Sequence, residues 1–450
     1  MQFVIIGGDA AGMSAASRAK RRCPEMTVTV LEKTRDVSYS ACGMPYNIAD
    51  PERPIETLVV RPAEVFREKQ GIDLRTGHCV TRIEPAARRV SGTTLEGAAF
   101  TVAYDRLLIA TGAEAVLPDL PGCHLPGVFA LKSLADGRRI KAFLAQKPVR
   151  QAVIIGMGYI ALEMVETLHH RGIATAMVKP RPDLLPWLDR ELAAMVAAEL
   201  DAHGVACHPG HAVVRIEAAG DALVVVCDGL RLEAEMVIVG IGVRPNSRLA
   251  ADAGLALGAG DAIAVDRRLR TADPCIYAAG DCAEVFHVVS GCNTWNPLAL
   301  IANRAGWAVA DAVCGAGGEI QGVVGTAVFK IFDLEVARTG LTSQEATDAG
   351  FDPAAVTIAS RTKAHGQPGS SIIRVQMVGD RSSGRLLGAQ MVGPLGSAAH
   401  RINAAAVALH ADLSVAQFSQ ADLAYAPPFG PVWDPLLTAA KPLLKKLSSP

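Results

Sequence analysis

The residue in this sequence that is best suited to chemistry is Cys42, which lies in the segment Val-Ser-Tyr-Ser-Ala-Cys-Gly-Met-Pro-Tyr-Asn-Ile-Ala at positions 37–49. Gly43, Met44 and Pro45 follow it, a combination typical of a tight turn into a helix whose first turn tolerates proline. A cysteine just before a helix feels the positive end of the helix dipole, which favours its thiolate. The segment therefore predicts a redox-active thiol with a lowered pKa; the alternative is a buried structural cysteine.

Upstream of this cysteine, a glycine turn joins a predicted strand to a predicted helix. The apolar strand at 3–6 runs into Gly-Gly-Asp-Ala-Ala-Gly at 7–12, and the next apolar strand ends on Glu32. Gly12 lets the helix pack closely on the strand, and the helix N-terminus directs backbone N–H groups at a pyrophosphate. Asp9 replaces the usual middle glycine, while Glu32 is placed to bind a ribose hydroxyl. We expect a dinucleotide site, rather than an ordinary glycine turn, formed by Gly7, Asp9, Ala10, Ala11, Gly12, Glu32 and Lys33.

The same arrangement occurs a second time. A strand at 152–155 leads into Gly-Met-Gly-Tyr-Ile-Ala at 156–161, a complete GxGxxA motif. The next strand, at 174–178, is followed by Lys179 and then by Arg181, where an acid would bind the free ribose of NAD. Cations suit the extra phosphate of NADP, since a charge-assisted contact contributes about 1.5 to 3 kcal/mol. We predict NADPH, with NADH as the alternative if both cations point into water, bound by Gly156, Gly158, Tyr159, Ile160, Lys179 and Arg181.

Two further strands end in turns that would close the two units. Leu-Leu-Ile-Ala is followed by Thr111 and Gly112, and Met-Val-Ile-Val is followed by a turn that contains Gly242. Farther on, Tyr-Ala-Ala-Gly-Asp contains Gly280, which permits close backbone approach to a ligand, and Asp281, which can accept a hydrogen bond from a flavin ribityl hydroxyl. After two dinucleotide motifs, this string predicts FAD in the first unit and NAD(P)H in the second.

Bulk properties limit the class of protein. The chain has 450 residues, a net charge of −1 and a pI of about 6.8, so it can form two or three domains and has no charge excess that would attract nucleic acid or a membrane. Its apolar runs are too short to span a bilayer, and Met1 leads directly into a strand rather than a secretory signal. Ten cysteines lack any CxxC or metal-ligand spacing, so we expect no metal site. A soluble, cytoplasmic protein fits these features.

These motifs together carry a resemblance over nearly the whole chain. They are the two glycine turns, the segment around Cys42, the Thr-Gly at 111–112 and the string at 271–281. The sequence resembles the FAD-dependent pyridine nucleotide–disulfide oxidoreductases, in the single-cysteine branch of coenzyme A disulfide reductases, NADH oxidases and NADH peroxidases. Two-cysteine relatives have CxxxxC, but Val37 occupies the first position here, and their C-terminal His-Pro motif is absent from this sequence.

The resemblance implies an α/β fold with two Rossmann-like dinucleotide-binding domains, for FAD and NAD(P), and a C-terminal α+β dimerisation domain. The FAD domain would be discontinuous, at 1–115 and 247–324, with the NAD(P)H domain at 116–246 and the dimerisation domain at 325–450. A homodimer is therefore expected. The proline-rich segment around Tyr425 is unsuited to a helix and resembles one whose tyrosine reaches the partner's active cysteine. Packing at the dimer interface is the alternative role for this tyrosine.

A basic run, Arg-Ala-Lys-Arg-Arg, ends the first predicted helix near the same edge as Cys42. Such a run is commonly a solvated helix end, and the alternative is a binding site for a phosphate-bearing substrate, such as one that contains coenzyme A. As the substrate site we predict Arg18, Arg21, Ser38 and Asn47.

Two departures from the family bear on the reaction. Peroxidases and oxidases of this branch carry a histidine in the first glycine loop, but Ala10 stands there, and little would then protonate the leaving oxygen of a peroxide. The reductases tend to have Tyr-Tyr-Pro-Gly in the dimerisation domain, where this chain has Gly-Gln-Pro-Gly after His365. A substrate other than coenzyme A disulfide itself therefore stays open.

The resemblance implies a flavoprotein that takes hydride from NAD(P)H and reduces a small disulfide, persulfide or polysulfide through Cys42. The thiolate would attack by thiol–disulfide exchange, and Tyr425 of the partner subunit would protonate or hold the leaving thiolate. Two alternatives stay open: an NAD(P)H oxidase or peroxidase that cycles Cys42 through a sulfenic acid, and a non-enzymatic flavin and thiol redox sensor.

Overall fold

The computed structural model describes residues 1–448, so the last two positions of the predicted dimerisation domain, 449–450, lie outside the described residues. The first part of the chain begins with an apolar strand in which Phe3, Val4 and Ile5 are completely buried. Its elements are β1 (Gln2–Ile6), α1 (Ala10–Arg22), β2 (Thr27–Glu32), α2 (Met44–Ala49), β3 (Asp73–Thr76), β4 (His78–Glu84), β5 (Arg89–Thr94), β6 (Ala99–Ala103), β7 (Arg106–Ile109) and β8 (Ala113–Ala115).

A second stretch of alternating strands and helices follows and repeats the pattern. Its elements are β9 (Val128–Ala130), α3 (Leu134–Gln146), β10 (Gln151–Ile155), α4 (Tyr159–His170), β11 (Ala174–Lys179), α5 (Arg190–Ala202), β12 (Ala206–Pro209), β13 (Val213–Ala219), β14 (Ala222–Cys227), β15 (Leu230–Ala234), β16 (Met236–Val239) and β17 (Val243–Pro245).

The chain then returns to the first sheet and ends in an antiparallel region. The returning elements are α6 (Arg248–Asp252), β18 (Ile276–Ala278), β19 (Val285–Phe286), β20 (Asn293–Thr294) and α7 (Ala299–Val313). The final elements are β21 (Ala327–Ile331), β22 (Leu334–Gly340), α8 (Ser343–Asp348), β23 (Pro353–Arg361), β24 (Ile372–Asp380), β25 (Leu386–Pro394), α9 (Ile402–His410), α10 (Val415–Phe418) and α11 (Pro435–Leu447).

Two five-stranded parallel sheets organise the first two thirds of the molecule. Their strand orders are β18–β7–β1–β2–β3 and β12–β11–β10–β16–β9. The predicted strands at 3–6 and 152–155 are β1 and β10, and each lies at the centre of its sheet with its glycine turn at the carboxyl end. Ligands of doubly wound sheets bind at this carboxyl edge. The predicted Rossmann-like fold class is confirmed.

A short antiparallel ribbon, β8 with β17, joins the two parallel sheets. Beside it, the Thr111 hydroxyl donates to the Asn246 carbonyl oxygen at 2.7 Å, and the Asn246 side-chain amide donates to the Thr111 carbonyl oxygen at 2.8 Å. These two hydrogen bonds connect the point where the chain leaves the first sheet to the point where it returns. The ribbon supports domain boundaries near 115 and 247, which stay a prediction.

The last part of the chain is an antiparallel sheet with helices packed on it. The strand order is β21–β22–β25–β24–β23, and Val375, Met377 and Leu387 are completely buried in its core. Helix α11 packs there through Leu436 and Leu443. Within residues 1–448, no helix is long and apolar enough to cross a bilayer.

Candidate active site

The first glycine turn leaves no room for side chains. Gly7 has a φ of +111°, and a Cβ added there would lie 2.1 Å from the carbonyl oxygen of Ala110. A Cβ on Gly12 would lie 1.9 Å from the carbonyl oxygen of Gly7, so this glycine lets α1 pack directly on the turn. Asp9 precedes α1, yet its side chain makes no capping hydrogen bond, which leaves the first-turn N–H groups free to bind an anion.

The second glycine turn has the same geometry. Gly156 has a φ of +110°, and a Cβ there would lie 2.3 Å from the carbonyl oxygen of Gly240. Gly158 precedes α4 without any side-chain cap, and a Cβ on it would meet open space. Both turns therefore fit the diphosphate of a dinucleotide, because each presents an uncapped helix N-terminus behind a tight glycine turn. The assignment of FAD to the first turn and NAD(P)H to the second stays a prediction.

The other predicted contacts with FAD lie around the first turn. Glu32 ends β2, and its carboxylate accepts the N–H of Gly8 at 2.7 Å and the N–H of Thr34 at 2.8 Å. Gly280 has a φ of +83°, and a Cβ there would lie 2.9 Å from the Cβ of Ala11, so glycine brings the loop of Asp281 onto the start of α1. Lys33 is exposed, Ala11 is buried, and Ala10, Thr111 and Gly112 are partly exposed at the same edge of the sheet.

The predicted role of Lys179 needs a correction. This lysine is buried, its ammonium donates to the carbonyl oxygens of Asp183 and Leu184, and burial lowers its pKa. It holds the loop after β11 instead of extending to a nucleotide phosphate. Arg181 in the same loop is exposed and is the cation left to face a 2′-phosphate. Tyr159 and Ile160 begin α4 and are partly exposed, and Gly242 has a φ of +125° with open space at its Cβ.

Cys42 lies on a single 3₁₀ turn, Ala41–Gly43, directly before α2. Pro45 occupies the first turn of that helix, as the sequence predicts. The cysteine is an exposed free thiol. Its side chain is therefore accessible to a small molecule from outside.

The predicted lowering of the Cys42 pKa is wrong for this structure. Withdrawal of water by the surrounding protein raises the pKa of Cys42, and the carboxylate of Glu163 raises it further, while Lys132 acts in the opposite direction. Helix α2 has only six residues, and its dipole does not overcome these two effects. These surroundings therefore favour the thiol form of Cys42 over its thiolate.

Three charged side chains and one tyrosine, from four separate parts of the chain, lie around this thiol. The Tyr46 hydroxyl donates to Glu163 Oε1 at 3.0 Å, and burial raises the pKa of Glu163. Lys132 Nζ forms an ion pair with Asp281 Oδ2 at 3.0 Å. Sequence reasoning named Asp281 but missed Lys132, Glu163 and Tyr46 as site residues. Glu163 follows the GxGxxA motif by less than one helical turn, which is a signal that could have identified it.

Asp9 belongs to the same group of charges. Burial raises the pKa of Asp9 from 3.8 to about 6, and the carboxylates of Glu32 and Asp281 add to the rise. The N–H of Tyr39 and the ammonium of Lys132 act against it. This carboxyl is therefore the group at the first glycine turn that titrates close to neutral pH.

The structure separates the four predicted substrate residues. Arg18 forms an ion pair with Asp311 at 2.6 Å, and its guanidinium lies 5.1 Å from the ring centre of Trp307. Arg21 is exposed near it. Ser38 is partly exposed with a φ of +48°. Asn47 is completely buried and donates to the carbonyl oxygen of Pro54 at 3.1 Å, which corrects its predicted contact with substrate.

Tyr425 lies in a segment without regular structure between α10 and α11, as its prolines predict. Its side chain is 48% exposed, and Phe429, Val432 and Trp433 nearby are even more exposed, at 79%, 64% and 53%. Exposed apolar residues concentrated in one segment are typical of a surface that another chain covers. The contact of Tyr425 with the partner's Cys42 stays a prediction.

A group of possible metal ligands lies apart from these residues, although the sequence indicates no metal site. The donor atoms of Glu199, His203 and Asp333 lie within 4.8 Å of one another. Glu199 also accepts the N–H of Asp333 at 2.8 Å. These contacts join α5 to the turn between β21 and β22.

Known proteins match this chain along its length. Residues 1–306 match the family model described as pyridine nucleotide-disulphide oxidoreductase, and residues 326–435 match its dimerisation domain. The NAD(P)H sulfur oxidoreductase (CoA-dependent) of Pyrococcus furiosus is 38% identical over 444 residues, 98% of this chain and 99% of that protein. The structure of reduced Bacillus anthracis CoADR-RHD is 32% identical with a TM-score of 0.95, over 99% of this chain and 80% of that one. The NAD-dependent persulfide reductase from A. fulgidus is 34% identical with a TM-score of 0.94, over 99% of this chain and 83% of that one.

These matches agree with the two dinucleotide turns and with the exposed cysteine that follows the first of them. The chain therefore belongs to the FAD-dependent pyridine nucleotide–disulphide oxidoreductases and is an NAD(P)H-dependent flavoprotein oxidoreductase, in a family whose similar members include proteins named coenzyme A disulfide reductase.

Proposed function

We propose that this protein reduces low-molecular-weight disulfides, persulfides or polysulfides, including those that carry coenzyme A, and that Cys42 is its single redox-active thiol. The observation that carries the proposal is the exposed position of Cys42 among the charges of Lys132, Glu163 and Asp281. The position of a second cysteine in two-cysteine relatives holds Val37, which is buried. A mixed disulfide at Cys42 would therefore meet no second thiol from that segment.

The names of similar proteins support this class of substrate. The Pyrococcus furiosus relative is named a CoA-dependent sulfur oxidoreductase, and the A. fulgidus structure is that of a persulfide reductase. Ala10, at the position where peroxidases of this branch have histidine, offers no proton to a peroxide. A sulfur acceptor is thus favoured over oxygen or peroxide.

The residues of this chain have separate parts in the proposed reaction. The Cys42 thiolate attacks one substrate sulfur, so that a new S–S bond forms while the old one breaks and a thiolate leaves. Lys132 favours the attacking thiolate, whereas Glu163 holds back its formation. Tyr425 of the partner subunit gives the leaving thiolate its proton within a homodimer. FAD, when bound at the first glycine turn, supplies the two-electron chemistry that connects NAD(P)H with the mixed disulfide.

The preference for NADPH rests on one residue in this proposal. Lys179 is occupied by backbone carbonyls, so the exposed guanidinium of Arg181 would bind the 2′-phosphate. Removing one charge-assisted contact costs about 1.5 to 3 kcal/mol, and solvent reduces this value. Arg181→Ala should therefore lower kcat/KM for NADPH about tenfold and leave that for NADH unchanged.

The decisive experiment is anaerobic NADPH oxidation by the purified flavoprotein, with coenzyme A disulfide, coenzyme A persulfide and polysulfide offered in turn. Cys42→Ser is compared with Cys292→Ser, which removes another exposed cysteine on a separate loop. Turnover that is lost in Cys42→Ser and kept in Cys292→Ser would establish the mechanism and rank the substrates. Full activity without the Cys42 thiol, or turnover with oxygen or peroxide alone, would overturn it.

A further inference from the structure

Two cysteines at the far end of α1 and α7 meet in space although the chain separates them widely. Cys23 follows the last residue of α1, and its N–H donates to the carbonyl oxygen of Ala19 at 2.8 Å. Cys314 follows the last residue of α7, and its thiol donates to the same carbonyl oxygen at 3.9 Å. The Cys314 thiol therefore lies against the last turn of α1 beside Cys23, and both residues are free thiols that remain partly exposed.

The packing of the two helices holds this arrangement in place. A Cβ on Gly306 of α7 would lie 2.2 Å from the carbonyl oxygen of Ala11, so glycine lets α7 pack directly on α1. Near the cysteines, Asp311 of α7 forms ion pairs with Arg18 at 2.6 Å and with Arg22 at 2.5 Å. The helix ends that carry the two cysteines are therefore held together.

We propose that Cys23 and Cys314 are a second redox-active site, a thiol pair that closes to a disulfide when it meets a low-molecular-weight disulfide. The site is separate from Cys42 and does not depend on the reaction proposed for that cysteine. Cysteines that share a backbone partner at adjoining helix ends can be joined by an S–S bond with little rearrangement, whereas thiols on distant elements would require the backbone to move far.

The order of the two steps follows from the surroundings of the thiols. Burial raises the pKa of Cys314, and the neighbouring Cys23 adds to this rise, so Cys314 is the poorer attacking thiol. In the proposed order Cys23 attacks first, which forms a mixed disulfide and releases one small thiol. Once its sulfur is bonded, Cys23 no longer opposes ionisation of Cys314, and Arg22 favours it.

In the second step, Cys314 gives up its proton and attacks the Cys23 sulfur. The Cys23–Cys314 bond forms, the mixed disulfide breaks, and a second small thiol leaves with that proton. Two protein thiols are oxidised and one small disulfide is reduced to two thiols, so the exchange needs no other oxidant.

The test uses the complete, FAD-loaded protein, reduced, desalted and then exposed to glutathione disulfide without oxygen and without NAD(P)H. The reaction is quenched with acid, free thiols are alkylated, and peptides are mapped by mass spectrometry without reduction. We expect a cross-linked pair of peptides that contain Cys23 and Cys314, with a mass loss of about 2 Da and reversal by dithiothreitol. Cys292 is the internal control, since it is exposed and should stop at a mixed disulfide with glutathione.

Two variants separate this site from the catalytic one. The cross-link should form in Cys42→Ser to the same extent as in the unmodified protein, and it should be absent from Cys314→Ser, where Cys23 should instead retain glutathione. Cys23→Ser gives the same loss of the cross-link and replaces Cys314→Ser if that variant does not fold. The proposal is overturned if Cys23 and Cys314 are both still alkylated when Cys292 carries glutathione completely. It is also overturned if Cys23 retains glutathione in the protein that has no substitution.

Discussion

Replacement of Asp9 by asparagine should make the folded protein more stable at neutral pH. In the folded state the pKa of Asp9 is raised from 3.8 to about 6, chiefly by burial, with added repulsion from Glu32 and Asp281. At neutral pH Asp9 is therefore ionised at the first glycine turn, although little water surrounds its carboxylate. Asparagine has nearly the same shape, can still accept the N–H of Tyr39 through its side-chain oxygen, and carries no charge.

The sign and size of the effect follow from proton linkage. Asp9 binds its proton more tightly in the folded than in the unfolded state, so its contribution to stability is greatest below the unfolded pKa of about 3.9. That contribution is lost as the pH rises through the folded pKa of about 6. A rise of about two pKa units corresponds to about 3 kcal/mol of unfolding free energy at neutral pH. Bound diphosphate would raise the pKa of Asp9 further, so the sign holds with FAD present.

Urea unfolding of the FAD-loaded protein across a pH series measures this directly. Asp9→Asn should match the unmodified protein near pH 4 and exceed it by about 3 kcal/mol above pH 7. Asp252→Asn is the control, because that carboxylate is 66% exposed in its pair with Arg248 and should change stability little at any pH. An equal or lower stability of Asp9→Asn at neutral pH would refute the reasoning.

Three further substitutions test the charges of the site and the support of the last domain. Glu163→Gln should speed alkylation of Cys42 by iodoacetamide at neutral pH, because one of the two main effects that raise the pKa of Cys42 is removed. Peptide mass spectrometry measures it, and an unchanged rate would contradict it. Lys132→Met should slow the same reaction, since it removes the cation that favours the thiolate, and a faster rate would contradict this assignment. Glu335→Gln should lower the free energy of unfolding in urea by about 2 to 4 kcal/mol, because the Glu335 carboxylate accepts the backbone N–H groups of residues 396–399. A loss below about 0.5 kcal/mol would show that water replaces the carboxylate as their acceptor.

Local pattern was sufficient for the parts of the fold that depend on neighbouring residues. The predicted strand at 152–155 is β10, which begins one residue earlier. A short, unbroken apolar run that ends at a glycine is typical of a buried strand, so this prediction needed only local sequence. The start of α2 after Cys42 is likewise set by its own residues, with Pro45 in the first turn.

Features that depend on distant residues could not be read from the sequence. The pKa of Cys42 is raised by surrounding protein that displaces water from one side of the exposed thiol and by Glu163, which lies on another helix, and these effects outweigh the short dipole of α2 that the sequence displays. Lys179 stands at the position where NADP-binding cations occur, but the loop that follows it turns its carbonyl oxygens onto the ammonium. In both cases the residue type was informative and its surroundings determined what it can do.

The two proposed thiol sites would respond to the same small disulfide in different ways. Cys42 has no second cysteine at the usual position, where Val37 is buried, so its mixed disulfide waits for electrons from NAD(P)H. Cys23 has Cys314 beside it on the carbonyl oxygen of Ala19, so the pair would resolve its own mixed disulfide. While NAD(P)H lasts, turnover at Cys42 produces the small thiols that reverse the exchange at the pair; once it is exhausted, the remaining disulfide drives the pair to its closed form. The pair would therefore record the ratio of small disulfide to thiol that the catalytic cysteine itself maintains.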